Sequence, residues 1–373
     1  TVGLPAGMSH QDLVIEDSGG TYEVRVADST IPTALFHDPG NSLLVQAEDG
    51  DDVIDVLPLG PGFAADLTVN TGAGADTVRV GAVTGPGLYS FDGGAGSNSL
   101  EGTDSPADWS LTGLDQGAVT GAHPFTFSNF GQLTGGTAQD RFSFDAAGAG
   151  VSVRIDGGGG GNEIVAFNQP NNWQIAGPDQ GDLNGNAFIS IQTLTGNNAA
   201  DTFTLAAPGA LVSVLMDGAG GDDEIVGPGA ATDWTIGGAN QGMVNTTPFQ
   251  SIENLTGGSQ TDTFALVGAG ASLSGLIDGA GGDDEIVGPD VATAWDIDGA
   301  DRGTVNATPF QSVENLTGGS QADTFTVTAA GGGVAGLLDG GAGQDELVGF
   351  GKVNNWTVDG TDAAEHDLAP KPA

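Results

Sequence analysis

No cysteine occurs among the 373 residues, so the chain has neither a disulfide framework nor a thiolate metal site, and its redox compartment is left open. Basic residues are almost as scarce: seven Lys and Arg stand against 49 Asp and Glu, a formal net charge of −42. That balance excludes nucleic acid as a partner, because so many carboxylates repel phosphate and the few cations form no stripe. It disfavours an anionic membrane surface for the same reason. No apolar run approaches the roughly 20 residues of a membrane-spanning helix, so no membrane insertion is expected. The opening TVGLPAGMSH has neither a basic nor a hydrophobic segment, and a start on Thr rather than Met fits a processed, secreted segment. Leu, Lys, Glu and Arg are too few for helices, yet 66 Gly and 38% apolar residues are too patterned for disorder. An all-β chain is expected.

What is present is a repeat. Asp140, Asp201, Asp262 and Asp323 are each 61 residues apart, as are Asp156, Asp217, Asp278 and Asp339, and Leu133, Leu194, Leu255 and Leu316. Trp173, Trp234, Trp295 and Trp356 keep the same step, and Trp109, which precedes Trp173 by 64, marks a looser copy that also holds Asp76 and Asp92. Such fidelity predicts one structural unit stacked several times. The expected fold is an all-β, right-handed parallel β-solenoid (β-helix) built of 61-residue repeats, with handedness taken from the general rule for parallel crossovers. A β-propeller is the rival, but about six strand-like segments per repeat are too many for a four-stranded blade.

Residues 1–46 lie outside the strict repeat and are expected to form an N-terminal cap, with two strands around the Ser-Gly-Gly turn of Leu13 to Val26 and a third at Ser42 to Gln46. Residues 47–360 form the solenoid, in copies at about 76–136, 137–197, 198–258, 259–319 and a partial 320–360. The tail 361–373 loses the pattern and is expected to be flexible. Within the repeats an Asp or Asn stands two places before an inward apolar residue, as in Asp140 and Phe142, Asn162 and Ile164, or Asp262 and Phe264. Steps alternating between 22 and 39 predict three coils per copy, while two wider coils of about 30 stay open as an alternative.

The turn Gly340-Gly341-Ala342-Gly343-Gln344-Asp345-Glu346-Leu347-Val348 matches the nonapeptide G-G-x-G-x-D-x-U-x. It resembles the calcium-binding β-roll repeats of the repeats-in-toxin family, in which such turns hold calcium between successive coils. The resemblance implies Ca2+ at the acidic turns, with Asp223, Asp284 and Asp345 foremost, Asp222 and Asp283 assisting, and Asp262 and Asp323 as further candidates. The copies depart from the pattern: Gly218-Ala219-Gly220-Gly221 and Gly279-Ala280-Gly281-Gly282 lose the second Gly, and Asn98 and Asn162 replace the Asp. Asp and Asn bonding their own turns is the alternative, and charge compensation by a saline habitat or plain solubility is the alternative for the overall acidity. The recurring ENLTGG (Glu253 to Gly258, Glu314 to Gly319), the DTF strands and the DGAGGDDEIV turns resemble repeats of large secreted bacterial surface proteins called adhesins. That resemblance implies an extracellular location at the bacterial cell surface.

Three further features bear on function. The tryptophans invite sugar stacking, but each precedes an apolar residue by two in the strand alternation, which favours a core role. Asn254-Leu255-Thr256 and Asn315-Leu316-Thr317 match glycosylation sequons and are read as turn chemistry. A unique constellation of carboxylates is missing, and His10, His37, His123 and His366 are scattered, none joined with a Ser and a carboxylate pair outside the repeat, while Arg141 and Arg154 serve local charge compensation. The expected function is therefore a non-enzymatic extracellular structural protein, a rod or filament-forming segment. An adhesin or carbohydrate-binding module is the alternative, and a polysaccharide lyase or hydrolase the distant one. The partners expected are the chain itself, head to tail, or neighbouring repeats of a longer chain, with surface polysaccharide as a further candidate.

Overall fold

The computed structural model describes residues 2–3, 12–17, 22–26, 34–36 and 41–351. Trp356 and the tail 361–373 fall outside these residues. Among them the chain is all-β without a helix, arranged as many short strands in two mostly parallel ladders, consistent with a β-solenoid. Among the described residues no helix is long and apolar enough to cross a membrane. The chain divides into two compact units, residues 1–203 with 209–221, and residues 204–208 with 222–373.

In the first unit the chain passes from one ladder to the other at almost every strand. Ser42–Gln46, Asp66–Asn70 and Tyr89–Asp92 pair in parallel on one ladder. Val53–Val56, Thr77–Val80 and Ser99–Glu101 do so on the other. The alternation read from the sequence is the burial pattern observed: Leu67 and Val69 are buried between exposed or half-buried neighbours, and so are Val78 and Val80. The expected N-terminal strands form as well, Asp12–Asp17 running antiparallel to Tyr22–Val26 and parallel to Val53–Val56.

The three-coil expectation needs correction. Partner residues in adjacent layers are separated by 22 residues (Arg141 and Glu163), by 30 (Glu163 and Thr193) or by 33 (Ile155 and Phe188). The segment after the tryptophan does not add another parallel coil. It folds back as a meander: Asn172–Gly177 runs antiparallel to Gln180–Leu183, which runs antiparallel to Asn186–Ile189. Ala107–Gly113, Gln116–Gly121 and Phe125–Ser128 make the same excursion one copy earlier. The turns fit two-residue hairpins, with positive φ at Asp179 (53°) and Asn184 (51°) and at Gly185 (91°).

The second unit repeats this plan. Thr232–Gly238, Gln241–Val244 and Thr247–Gln250 form one meander, and Ala294–Gly299, Arg302–Val305 and Thr308–Gln311 the next. These two meanders sit on different ladders, because Asp262–Leu266 continues the first in parallel and Thr324–Val327 continues the second. A copy thus advances two and a half coils, so successive copies place the same motif on opposite ladders.

The interior explains why the Trp and DTF motifs keep one spacing. Trp109 is in register with Phe142, Trp234 with Phe264 and Trp295 with Phe325. The rings stack at centroid distances of 5.4, 5.5 and 5.2 Å, and Trp173 stacks on Phe203 at 5.5 Å with planes 8° apart. All four indoles are at most 1% exposed. These tryptophans are core residues and offer no stacking platform to a sugar.

Candidate functional site: the acidic rungs

The repeated Asp and Asn side chains stand at the corners where the chain enters a strand, one above another in successive coils. Each side chain accepts a hydrogen bond from the backbone N–H of the residue one layer away. In the first unit Asp52 N donates to Asp76 Oδ1 (2.9 Å), Asp76 N to Asn98 Oδ1 (3.0 Å), Ala107 N to Asp140 Oδ1 (3.1 Å) and Asp140 N to Asn162 Oδ1 (2.8 Å). In the second, Asp262 N donates to Asp284 Oδ1 (2.8 Å), Thr293 N to Asp323 Oδ1 (2.8 Å) and Asp323 N to Asp345 Oδ1 (2.9 Å). At a corner, where the ladder of backbone pairs is interrupted, a buried N–H would otherwise lack an acceptor.

The second carboxylate oxygen has its own task. In Asp140, Asp201, Asp262 and Asp323 it accepts the N–H four residues earlier, from Gly136 (2.9 Å), Asn197 (3.0 Å), Gly258 (2.6 Å) and Gly319 (2.7 Å). The glutamate of ENLTGG, to which the sequence assigned no role, closes the next rung: Glu253 Oε2 accepts from Asp223 N and Glu314 Oε2 from Asp284 N, both at 2.9 Å. Gln192 Oε1 does the same for Asn162 N at 2.7 Å. The sequon asparagines are engaged on both sides, Asn315 Nδ2 donating to Asp283 Oδ1 (2.8 Å) while its Oδ1 accepts from Leu337 N (2.9 Å). Asn254 bonds Asp222 Oδ1 (2.7 Å) and Leu276 N (3.0 Å) likewise, so turn chemistry describes both.

A second series of aspartates holds its own turns. Asp156, Asp217, Asp278 and Asp339 each accept the N–H two residues on, at 2.9 to 3.0 Å. The residue two on, which donates this N–H, carries positive φ: it is Gly at 341 (76°), where a Cβ would collide with Gly319 O. The glycines missing from the other copies fall at a left-handed position, since Ala219 (66°) and Ala280 (65°) occupy it. Relief of this strain makes Ala280→Gly stabilising by about 1 kcal/mol, net of the greater chain freedom of Gly. Calorimetry should record a melting temperature up by about 2–4 °C; a fall would show that the alanine is unstrained.

Burial dominates the electrostatics of these rungs. Asp76, Asp140, Asp262 and Asp284 are at most 1% exposed. Desolvation pushes Asp140 up to about 6, partly offset by the Gly136 and Ala107 N–H groups and the Trp109 indole, and the Asp104 carboxylate adds to the rise. Asp284 is likewise pushed up to about 6 by burial, less the Asp262 N–H bond, with Asp262, Glu314 and Asp283 raising it further. Asp76, Asp201 and Asp262 are raised by the same cause.

Six of the seven residues named for calcium, Asp222, Asp262, Asp283, Asp284, Asp323 and Asp345, accept hydrogen bonds within this scaffold, while Asp223 donates its N–H to Glu253. Calcium takes six to eight oxygens. Here the carboxylates of Asp262, Asp323, Asp284 and Asp345 face backbone N–H groups, and those of Asp222 and Asp283 face asparagine amides. Among the described residues no group of three or more His, Asp or Glu converges as a metal site.

Elsewhere, Arg141 pairs with Glu163 (3.2 Å) and Arg154 with Asp156 (3.8 Å), the local compensation expected. His123, the only histidine among the described residues, meets a serine. Ser105 Oγ lies 3.4 Å from His123 Nε2, and His123 Nδ1 lies 3.1 Å from Val83 O, which places the ring proton on Nδ1. The hairpin return brings the pair together across 18 residues, and no local pattern announces it. The third group is a carbonyl rather than a carboxylate, so the contact ties a loop and supplies no charge relay. No protein-family model matches the chain, and no curated protein matches it.

Proposed function

We infer that the chain is a non-enzymatic structural segment of an extracellular bacterial surface, a right-handed solenoid of 61-residue copies that builds a rod or filament. One observation carries this reading: the repeated polar residues are turned to one another and to the backbone. Carboxylates that would line a ligand site accept coil-to-coil N–H bonds, and the tryptophans that would stack on a sugar are enclosed. A scaffold in which each copy does the same work is what a spacer or fibre requires. The acidity keeps such a surface soluble and self-repelling.

Electron microscopy of the native material tests the reading directly. Rods or filaments support it; globular particles overturn it. Micromolar binding on a glycan array would favour an adhesive module, and release of unsaturated or reducing ends from acidic polysaccharide would favour an enzyme. Head-to-tail assembly through the N-terminal strands is the proposed contact, and deletion of residues 1–26 should abolish polymers while the repeats stay folded.

Calcium at the turns is a separate proposal with its own test. If the rungs are held by hydrogen bonds alone, added calcium and sodium at equal ionic strength raise the melting temperature alike, through screening of the net charge. A rise specific to calcium, reversed by chelator and lost in Asp283→Asn, would establish the ion at the turns.

A further inference from the structure

The rungs of the first unit include both Asp and Asn, and the two residue types cannot do the same thing with their second polar atom. Asn98 shows what the position asks for. Its Oδ1 accepts the Asp76 N–H, and its Nδ2 donates to Gly93 O, five residues earlier, and to Asn129 O at 3.0 Å. Asn162 repeats the arrangement, its Nδ2 donating to Gly159 O (3.0 Å) and Ser190 O (3.1 Å). Where the rung is Asn, its second polar atom is thus a donor aimed inward. Asp76, one layer before Asn98, has the same Oδ1 bond to Asp52 N, but where Asn98 carries an amide it carries Oδ2, buried without a hydrogen-bond partner.

Thr71, five residues before Asp76, lies beside its carboxyl, and that contact favours the ionised form against the larger, opposing effect of burial. Its hydroxyl has one proton, and that proton is committed to Gly93 O at 2.8 Å. An ionised Oδ2 would therefore confront the hydroxyl's lone pairs in a site closed to water. The charged groups around it offer no relief. Asp51, whose Oδ1 accepts from Ala75 N (2.7 Å), and Asp52 stand on the layer before, and Asp92, bonded to Gly94 N (3.0 Å) and Asn129 Nδ2 (2.7 Å), on the layer after. The guanidinium on the same strand, Arg79, is paired with Asp55 (3.2 Å) and Glu101 (3.5 Å).

We propose that Asp76 is held as a neutral carboxylic acid that stands in for asparagine, its Oδ2 proton donated to Thr71 Oγ1 and relayed through that hydroxyl to Gly93 O. Deprotonation forces Thr71 to turn its hydrogen back to the carboxylate and to release Gly93 O, so the rung loosens as pH rises. Desolvation, which raises Asp76 above the ordinary carboxylate range, acts in the same direction. The sign follows: a group whose folded pKa is raised stabilises the fold at low pH and ceases to do so as pH rises through the folded value.

Asp76→Asn supplies the amide permanently and serves as the test. At pH about 7.5 the variant melts higher than the wild type, on the order of 2–4 °C, and at pH about 4.5 the two melt together. In the wild type the Asp76 13Cγ resonance, assigned by its loss in the variant, titrates above the ordinary carboxylate value. A resonance that titrates near the ordinary value of about 3.9 overturns the proposal. So does an equal shift in melting temperature at both pH values, or a loss at both as in Asp76→Ala. Should Asp76→Asn fail to fold, assignment through the backbone of Asp76 leaves the wild-type titration to decide.

Discussion

Acidification from about pH 7.5 to about pH 5, at roughly 1 M salt, raises the melting temperature of the unit that contains Asp76, Asp140 and Asp201. All three carboxyls are raised by burial, Asp140 to about 6. Their unfolded values lie near 3.9. A raised folded pKa means stability fully present below the unfolded value and lost as pH climbs through the folded one, so the window for Asp140 runs from about 4 to about 6. The part of that window above pH 5 is worth roughly 1–2 kcal/mol for Asp140 alone, at 1.36 kcal/mol per unit. For a unit of this size that corresponds to roughly 3–6 °C. High salt matters to the design, because it screens the exposed charge, whose repulsion also eases on acidification, while leaving the buried groups unscreened. A melting temperature that is flat or falls between these pH values at high salt would sink the account of the rungs.

Trp173→Ala should produce the largest loss from a single side chain. The indole is fully buried, stacked on Phe203 at 5.5 Å and edge-on to Phe188 at 6.3 Å. Its removal forfeits the burial of a large ring and leaves a cavity that the parallel backbone, pinned layer to layer, cannot collapse; the expected cost is about 3–5 kcal/mol. The melting temperature should fall by roughly 10 °C. Trp173→Phe retains a stacked ring and should cost under about half as much. Differential scanning calorimetry of the two variants decides: a loss below about 1 kcal/mol in Trp173→Ala would mean that the ring is not enclosed.

Much of this arrangement could be read from residue order because the spacing that repeats is a spacing in contact. Phe142 follows Asp140 by two and Trp109 lies in register with it, so both the pinned corner and the stacked ring impose one constant interval. The alternation in Leu67 and Val69 or in Val78 and Val80 gave inward and outward faces for the same reason. The coil count was not legible in this way. Asn184-Gly185 is a two-residue hairpin signal, but the later copies carry Asn245-Thr246 and Asn306-Ala307 at that turn, and a run of short alternating strands looks alike whether it pairs parallel or antiparallel. The acidic turns were legible as positions and ambiguous as chemistry. Gly with Asp suits both an ion and a corner N–H, and the structure adds the corner contact, Asp262 N to Asp284 Oδ1 at 2.8 Å.

The half-integral advance of each copy has a consequence for how such a chain can change length. In the second unit Asp262 and Asp323, one period apart, begin strands on opposite ladders. Gain or loss of a single copy therefore turns everything beyond it through half a revolution, while gain or loss of a pair restores the original phase. Within the second unit an outward feature carried by every copy appears alternately on two opposite sides, so a partner confined to one side meets it only at every second copy. Lineages under selection for what one side displays should vary in steps of two copies, and those in which length alone matters should show odd and even numbers alike.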